Sequence, residues 1–281
     1  MKNDLSNTKL AFIGCGVMAE SILAGLLRKE MVKGEQIAAS HPRENRRAEL
    51  SAKYGITVFE QNADAVNAIK ESDNSIVVLC VKPQQLDGVL RGLKDAVVPE
   101  QMVLSIVAGA KLETISAALG NPRIVRAMPN TPAQIGAGIT AWTCTGEVSD
   151  GEQAQIKAIL TALGKELRVE TENMIDMATS LSATGPTYIF MVMEALTDAG
   201  VHLGFSRDMS KELVQETMLG AVKFAMESHK HPAELRNMVT SPGGTSADAI
   251  YQMEKGGLRT VLSKAVYAAY QRAVALGEKK N

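Results

Sequence analysis

Two hydrophobic rhythms divide the chain near residue 170. Before it, short apolar runs alternate with stretches of helical period; after it, only the helical period remains. Residues 10–13 (Leu-Ala-Phe-Ile), 75–81, 101–107 and 123–127 are apolar runs of strand length and predict strands buried on both faces. Residues 36–40, 135–143 and 165–169 predict three more. From Ala19 the chain reads as a helix, with Ile22, Leu23, Leu26 and Leu27 on one side. Residues 62–72 also read as helix. Ser149 and Glu152 form a capping-box pattern that opens another, with Ile156, Ile159, Leu160 and Leu163 on one face and Gly164 as its stop. Strands separated by helices predict a mostly parallel sheet.

The join between the first strand and the first helix carries the first chemistry. Gly14-Cys15-Gly16-Val17-Met18-Ala19 is a G-x-G-x-x-A turn. It aims backbone N–H groups and the positive end of a helix at an anion, typically a pyrophosphate. Gly16 lets the phosphates approach the backbone, and Ala19 stands in for the third glycine of the dinucleotide fingerprint. The predicted fold class is therefore α/β: an N-terminal Rossmann-type dinucleotide-binding domain over residues 1–170, then an all-α domain over residues 171–281. A fold preferring NAD places Asp or Glu at the end of the second strand, about 20 residues after the glycines. Here Ser40-His41-Pro42-Arg43 stands in that place, with Arg46 and Arg47 beyond. No carboxylate repels a 2′-phosphate there, and a hydroxyl and a guanidinium are available to bind one. The expected cofactor is NADPH, with NADH weaker. The alternative for the three arginines is a solvated helix start. The ends of the other predicted strands, Val81-Lys82-Pro83, Ala108-Gly109 and Met128-Pro129-Asn130, are where ligands collect in such sheets.

Composition narrows the classes. A formal net charge of −1 gives no support for nucleic-acid binding. The three cysteines, Cys15, Cys80 and Cys144, form no CxxC pair and no disulfide frame, which predicts a reducing compartment. The N-terminus is polar, without a secretory signal, and no apolar run approaches the ~20 residues that span a bilayer. His41, His202, His229 and His231 form no metal-ligand pattern. These readings predict a cytoplasmic protein without membrane, metal or nucleic-acid partners. Trp142 reads as a packing residue.

In the helical half, Val214, Met218, Ala221, Val222 and Ala225 share one side of a helix, and Leu213, Leu219 and Phe224 widen the face. So broad an apolar face predicts burial on two sides and a homodimer. Two segments interrupt the helices. Thr179 to Tyr188 clusters hydroxyls ahead of Pro186, a first-turn proline, with Thr184 or Gly185 as cap. Ser241-Pro242-Gly243-Gly244-Thr245-Ser246 is a loop feeding a helix. Either its N–H groups and hydroxyls bind a carboxylate, or its Ser and Thr side chains cap their own helix.

Taken together, Phe12 to Ala19, Val81-Lys-Pro-Gln84, Met128-Pro-Asn-Thr-Pro132, Ser182 to Tyr188 and the run from Pro232 to Glu254 resemble the Δ1-pyrroline-5-carboxylate reductase family over nearly the whole chain. The resemblance implies NADPH-dependent reduction of the cyclic imine 1-pyrroline-5-carboxylate to L-proline. It also implies a helical domain interleaved between the subunits of a homodimer, with dimers often assembling into decamers. Carried over, the nucleotide site falls on Gly14, Cys15, Gly16, Val17, Met18, Ala19, Ser40, Arg43, Asn62 and Lys82, and Val81, Pro83, Ala108, Gly109 and Asn130 complete the expected cofactor site. The substrate carboxylate falls on Ser241, Gly243, Gly244, Thr245 and Ser246, and the hydroxyl near the imine nitrogen on Thr179, for which an ordinary helix hydroxyl is the alternative. The sequence departs from the family pattern at Val17, Ala183, Thr187 and Ser246. Two other readings compete. A β-hydroxyacid dehydrogenase would need a catalytic lysine from Lys211, Lys223 or Lys230; a non-catalytic NADP-binding regulator would need no second ligand pocket.

Overall fold

The computed structural model describes residues 5–278. Eight strands form one sheet: β1 (Lys9–Ile13), β2 (Ile37–Ser40), β3 (Thr57–Phe59), β4 (Ser75–Leu79), β5 (Met102–Ser105), β6 (Ile124–Met128), β7 (Gly138–Cys144) and β8 (Gly164–Arg168). Their order is β3-β2-β1-β4-β5-β6-β7-β8, and every pairing is parallel except β6 with β7. The first six strands thus carry the doubly wound dinucleotide-binding order, which reverses between β1 and β4.

Helices cover both faces. They are α1 (Val17–Arg28), α2 (Glu44–Tyr54), α3 (Asn62–Asn67), α4 (Leu86–Leu93), α5 (Leu112–Leu119) and α6 (Asp150–Thr161). Side-chain alternation in the strands feeds two cores. Leu10, Phe12, Ile76, Val78 and Leu104 meet Ile22 and Leu26 of α1 and Ile156, Ile159 and Leu160 of α6. Ala11, Ile13, Val77, Leu79 and Val103 meet Val66, Leu90 and Ile115 from α3, α4 and α5. Trp142 is buried in the first core, and its Nε1–H donates to Glu166 at 2.6 Å.

Some expectations shift. Gln36 ends a short 3₁₀ turn, Gly34–Gln36, and Ile135 ends another, Thr131–Ile135, so β2 and β7 start later than the apolar runs suggest. β3 has three residues and follows Gly55, the left-handed cap of α2; a strand so short leaves no periodic signal. α6 closes at Ala162, and Gly164 instead opens β8, with φ +135° and no room for a Cβ against Gly138. The capping box at Ser149 and Glu152 is present.

Beyond β8 the described residues form only helices: α7 (Asn173–Ala178), a π-helical segment (Thr179–Ala183), α8 (Gly185–His202), α9 (Arg207–Ser228), α10 (Pro232–Met238), α11 (Thr245–Lys255) and α12 (Leu258–Gly277). The chain packs as two units, one reaching Thr184 and taking back the end of α12 from Ala269, the other spanning Gly185–Ala268. Within the first, the end of α12 lies on the loop after β5: a Cβ on Gly109 would stand 2.7 Å from the Leu276 backbone. Within the second, Gly200 of α8 sits against Ser210 of α9, the one buried residue of that helix. The broad face of α9 is not buried in the single chain; Leu213, Leu219, Val222 and Phe224 are all exposed.

Candidate active site

Gly14 follows β1 with φ +81°, and a Cβ on it would stand 2.6 Å from Val81 Cγ1. Both facts require glycine. Its N–H donates to Ser40 Oγ at 3.2 Å, and the Cys15 N–H donates to the Ser40 carbonyl at 2.9 Å. Gly16 differs. Its φ is −86°, and a Cβ there would find only the Gly14 carbonyl, 4.0 Å away. Among the described residues nothing fills that space, and no side-chain hydrogen bond caps α1, whose first turn begins at Val17 and Met18. Ala19 is buried beneath it, where a larger residue would push the helix off the sheet. An uncapped helix start beside an open glycine is a cradle for a phosphate.

Ser40, at the end of β2, is fully buried. Its hydroxyl donates to Asn62 Oδ1 at 2.8 Å while accepting from Gly14. Ser40 and Asn62 therefore shape the turn from inside. The cations beyond are not equivalent. Arg46 pairs with Glu20 and with Glu49, at 2.7 Å for the latter. Arg47 pairs with Glu60 at 3.2 Å and donates to the His41 and Pro42 carbonyls. Arg43 is exposed, and among the described residues no salt bridge engages it. It faces a recess shared with Gly16, Val17, Glu20, His41 and Arg46. Glu20 also accepts from Tyr54 at 2.7 Å and Lys53 at 3.0 Å. Burial works against its charge, yet these bonds and Arg46 outweigh it and hold its carboxyl down to about 2.

At the ends of the middle strands, Val81 closes over Gly14, and Lys82 is exposed beside Pro83, which starts a 3₁₀ turn. Asn130 Oδ1 accepts from the Ile139 N–H at 3.0 Å, holding the two-proline loop onto β7. Ala108 packs in a small cluster with Met128 and Ile175, and Gly109 lies under Leu276. Cys15 is buried and Cys80 packs partly buried against the same core; burial pushes Cys15 up to about 12 and raises Cys80 well above its ordinary value, which disfavours the thiolate in both.

One feature of this end carries no periodic or motif signal. Arg126, in the middle of β6, is 1% exposed and bridges Glu172 at 3.0 Å and Asp176 at 2.5 Å. Glu172 also accepts from the Leu112 N–H at 2.8 Å. One buried guanidinium thus fixes α7 and, through Glu172, the start of α5. α7 leads directly into the π-helical segment that begins at Thr179. The Thr179 hydroxyl donates to the Ile175 carbonyl at 2.7 Å, and its carbonyl accepts from both the N–H and the hydroxyl of Thr184 at 2.9 Å. A π-helical turn is a frequent mark of a functional site.

In the second unit, Gly243 has φ +70° and Gly244 is the extended N-cap of α11, with no side-chain cap. The Gly244 N–H donates to the Ser241 carbonyl at 3.1 Å, so the outward N–H groups are those of Thr245 and Ser246. A Cβ on Gly244 would run into the Ser241 hydroxyl. Lys211, Lys223 and Lys230 are exposed, the last donating to Met238 Sδ at 3.5 Å. Among the described residues no cluster of His, Cys, Asp and Glu is arranged to hold a metal, and no helix is long and apolar enough to cross a membrane.

A glycine turn heading a doubly wound sheet puts the chain among the dinucleotide-binding oxidoreductases, and residues 9–109 match the family described as NADP oxidoreductase coenzyme F420-dependent. Residues 172–276, the helical part, match the family described as pyrroline-5-carboxylate reductase dimerisation. Along the full length, the chain is 41% identical to the pyrroline-5-carboxylate reductase of Pseudomonas aeruginosa, over 98% of both chains. The solved reductase of Coxiella burnetii matches with a TM-score of 0.86 at 34% identity, over 98% of this chain and 100% of that one. The NADP-bound enzyme of Plasmodium falciparum matches with 0.86 at 28% identity, over 96% and 98%. The chain belongs to the pyrroline-5-carboxylate reductase family.

Proposed function

We propose that the chain reduces 1-pyrroline-5-carboxylate to L-proline with NADPH as reductant. The similarity along 98% of the chain to a reductase of that name carries this reading. The open space at Gly16 and the unpaired Arg43 fit a dinucleotide with a 2′-phosphate, and an NADP-bound relative supports the same cofactor. NADH lacks the group that Arg43 would pair with, and binds more weakly.

The dinucleotide, when bound, supplies a hydride to the carbon of the protonated imine. A cyclic imine takes a proton readily, so no strong acid is needed. The chain's work is alignment and charge complementarity. The Thr245 and Ser246 N–H groups at the start of α11, with the Ser241 hydroxyl, hold the substrate carboxylate. Thr179 spends its own proton on Ile175, which leaves its oxygen lone pairs to accept from the iminium N–H. It orients a ring nitrogen that is already protonated and does not relay the proton.

The functional boundary lies near residue 170, in keeping with a dimerisation match that begins at residue 172. The exposed apolar faces of α8, α9 and α12 suit a homodimer, the unit from which a decamer would be built. Three free thiols suit a cytoplasmic enzyme. Following NADPH absorbance with 1-pyrroline-5-carboxylate tests the function. The expected result is stoichiometric oxidation with proline as product. NADPH binding without turnover would favour the regulator, and turnover only with a hydroxyacid's keto form would favour the dehydrogenase.

A further inference from the structure

We infer that His41 is a specificity-determining residue for the cofactor, donating from Nε2–H to the 2′-phosphate in a tautomer fixed by the backbone of Arg43. This rests on the reading of the recess as the 2′-phosphate site. His41 follows the buried Ser40 at the end of β2 and is half-buried in the wall of the recess that Arg43 faces. Its backbone N–H is bound to the Phe59 carbonyl at 3.0 Å, which anchors the residue to β3.

The Arg43 N–H donates to His41 Nδ1 at 3.2 Å. That bond needs a lone pair on Nδ1, so the proton of the neutral ring sits on Nε2. Nε2–H has no acceptor among the described residues, and the recess is where a donor is wanted. Burial, with Arg43, Arg46 and Arg47 nearby, lowers the titration of the ring below its usual value, so it is neutral at physiological pH. The Glu20 and Glu49 carboxylates that share the recess are both paired to Arg46. The same bond fixes the Arg43 backbone: Arg43 is the N-cap of α2, and its N–H is held by the imidazole, so the guanidinium's point of attachment is set beside the ring.

Two substitutions separate the ring's two nitrogens. His41→Asn keeps an acceptor near Nδ1 and removes the donor; His41→Gln supplies an amide N–H near Nε2 and loses the acceptor. Dissociation constants for NADPH and NADH, measured on the full chain at pH 7.5, read the effect. His41→Asn is expected to weaken NADPH by roughly ten- to a hundredfold, the span of one hydrogen bond to a charged group, and leave NADH unchanged. His41→Gln is expected to retain most NADPH affinity. An unchanged NADPH-to-NADH ratio in His41→Asn, or an equal loss of both cofactors, overturns the inference. Arg43→Ala distinguishes the two readings. If it collapses the ratio while His41→Asn does not, only the role of His41 falls; if neither changes the ratio, the recess is not the 2′-phosphate site.

Discussion

Ser40 and Gly14 are joined across 26 residues by one hydrogen bond, from the Gly14 N–H to the Ser40 hydroxyl at 3.2 Å. The bond is sealed from water, because Ser40 is fully buried. The hydroxyl expected to meet a 2′-phosphate therefore faces inward and shapes the phosphate turn. Ser40→Ala leaves the Gly14 N–H and Asn62 Oδ1 without their partner. It should cost about 1–3 kcal/mol of stability and raise the KM for NADPH while leaving that for the imine nearly unchanged. Calorimetry and steady-state kinetics read both.

The two glycines of the turn should separate stability from binding. Gly14→Ala forces a Cβ at φ +81° into Val81, and should lower the melting temperature markedly. Gly16→Ala meets only the Gly14 carbonyl oxygen, at an unstrained 4.0 Å, so stability should change by less than about 0.5 kcal/mol. The added methyl occupies the phosphate's space, and NADPH affinity should fall at least tenfold. A Gly16→Ala protein that binds NADPH normally would remove the turn from the cofactor site.

Arg126 is matched to two carboxylates, Asp176 buried with it and Glu172 partly exposed. Arg126→Met strands Glu172 and Asp176, and should destabilise the sheet unit by about 3–5 kcal/mol in denaturant unfolding. Arg126→Lys, with one ammonium in place of a fork, should fall between. A loss below 1 kcal/mol for Arg126→Met would show that the network is not coupled to the fold.

Glu20 gives the fold an acid limit. Its native carboxyl titrates at about 2 against an ordinary 4.5. A depressed native value means that its stabilisation is complete above the ordinary value and is lost as pH falls from there through about 2. Screened by the solvent around Lys53 and Arg46, the contribution is on the order of 1 kcal/mol at neutral pH. Glu20→Gln should lower stability at pH 7 and flatten its fall between pH 5 and 2. Parallel curves for the two proteins would rule this out.

Thr179→Val should reduce kcat with little change in melting temperature, since the Ile175 carbonyl that the hydroxyl binds keeps the Thr179 backbone N–H as a donor. Thr179→Ser should restore it. Unchanged turnover in Thr179→Val would take the residue out of the mechanism.

How far the chain was legible follows from the range of each interaction. The buried strands, the glycine turn and the Ser149 capping box depend on neighbours within a few residues, and local pattern is enough for those. β3 left no trace because three residues cannot display a period. Gly164 read as a helix stop because its real constraint, Gly138, lies 26 positions away.

What the sequence by itself determined was the class of element at each place, the sheet order's parallel character and the family, since these rest on short-range pattern and on motifs kept in order. Only the tertiary structure decided which chemical groups are free to act. Ser40 is consumed inside, Arg46 and Arg47 are neutralised by carboxylates from α1, α2 and the residue after β3, and among the described residues no salt bridge engages Arg43. Arg126 becomes a buried clamp because β6 and α7 bring together groups 46 and 50 residues apart. A side chain's charge is written in the sequence. Whether that charge is spent on the fold or kept for a ligand depends on distances that only the folded chain sets.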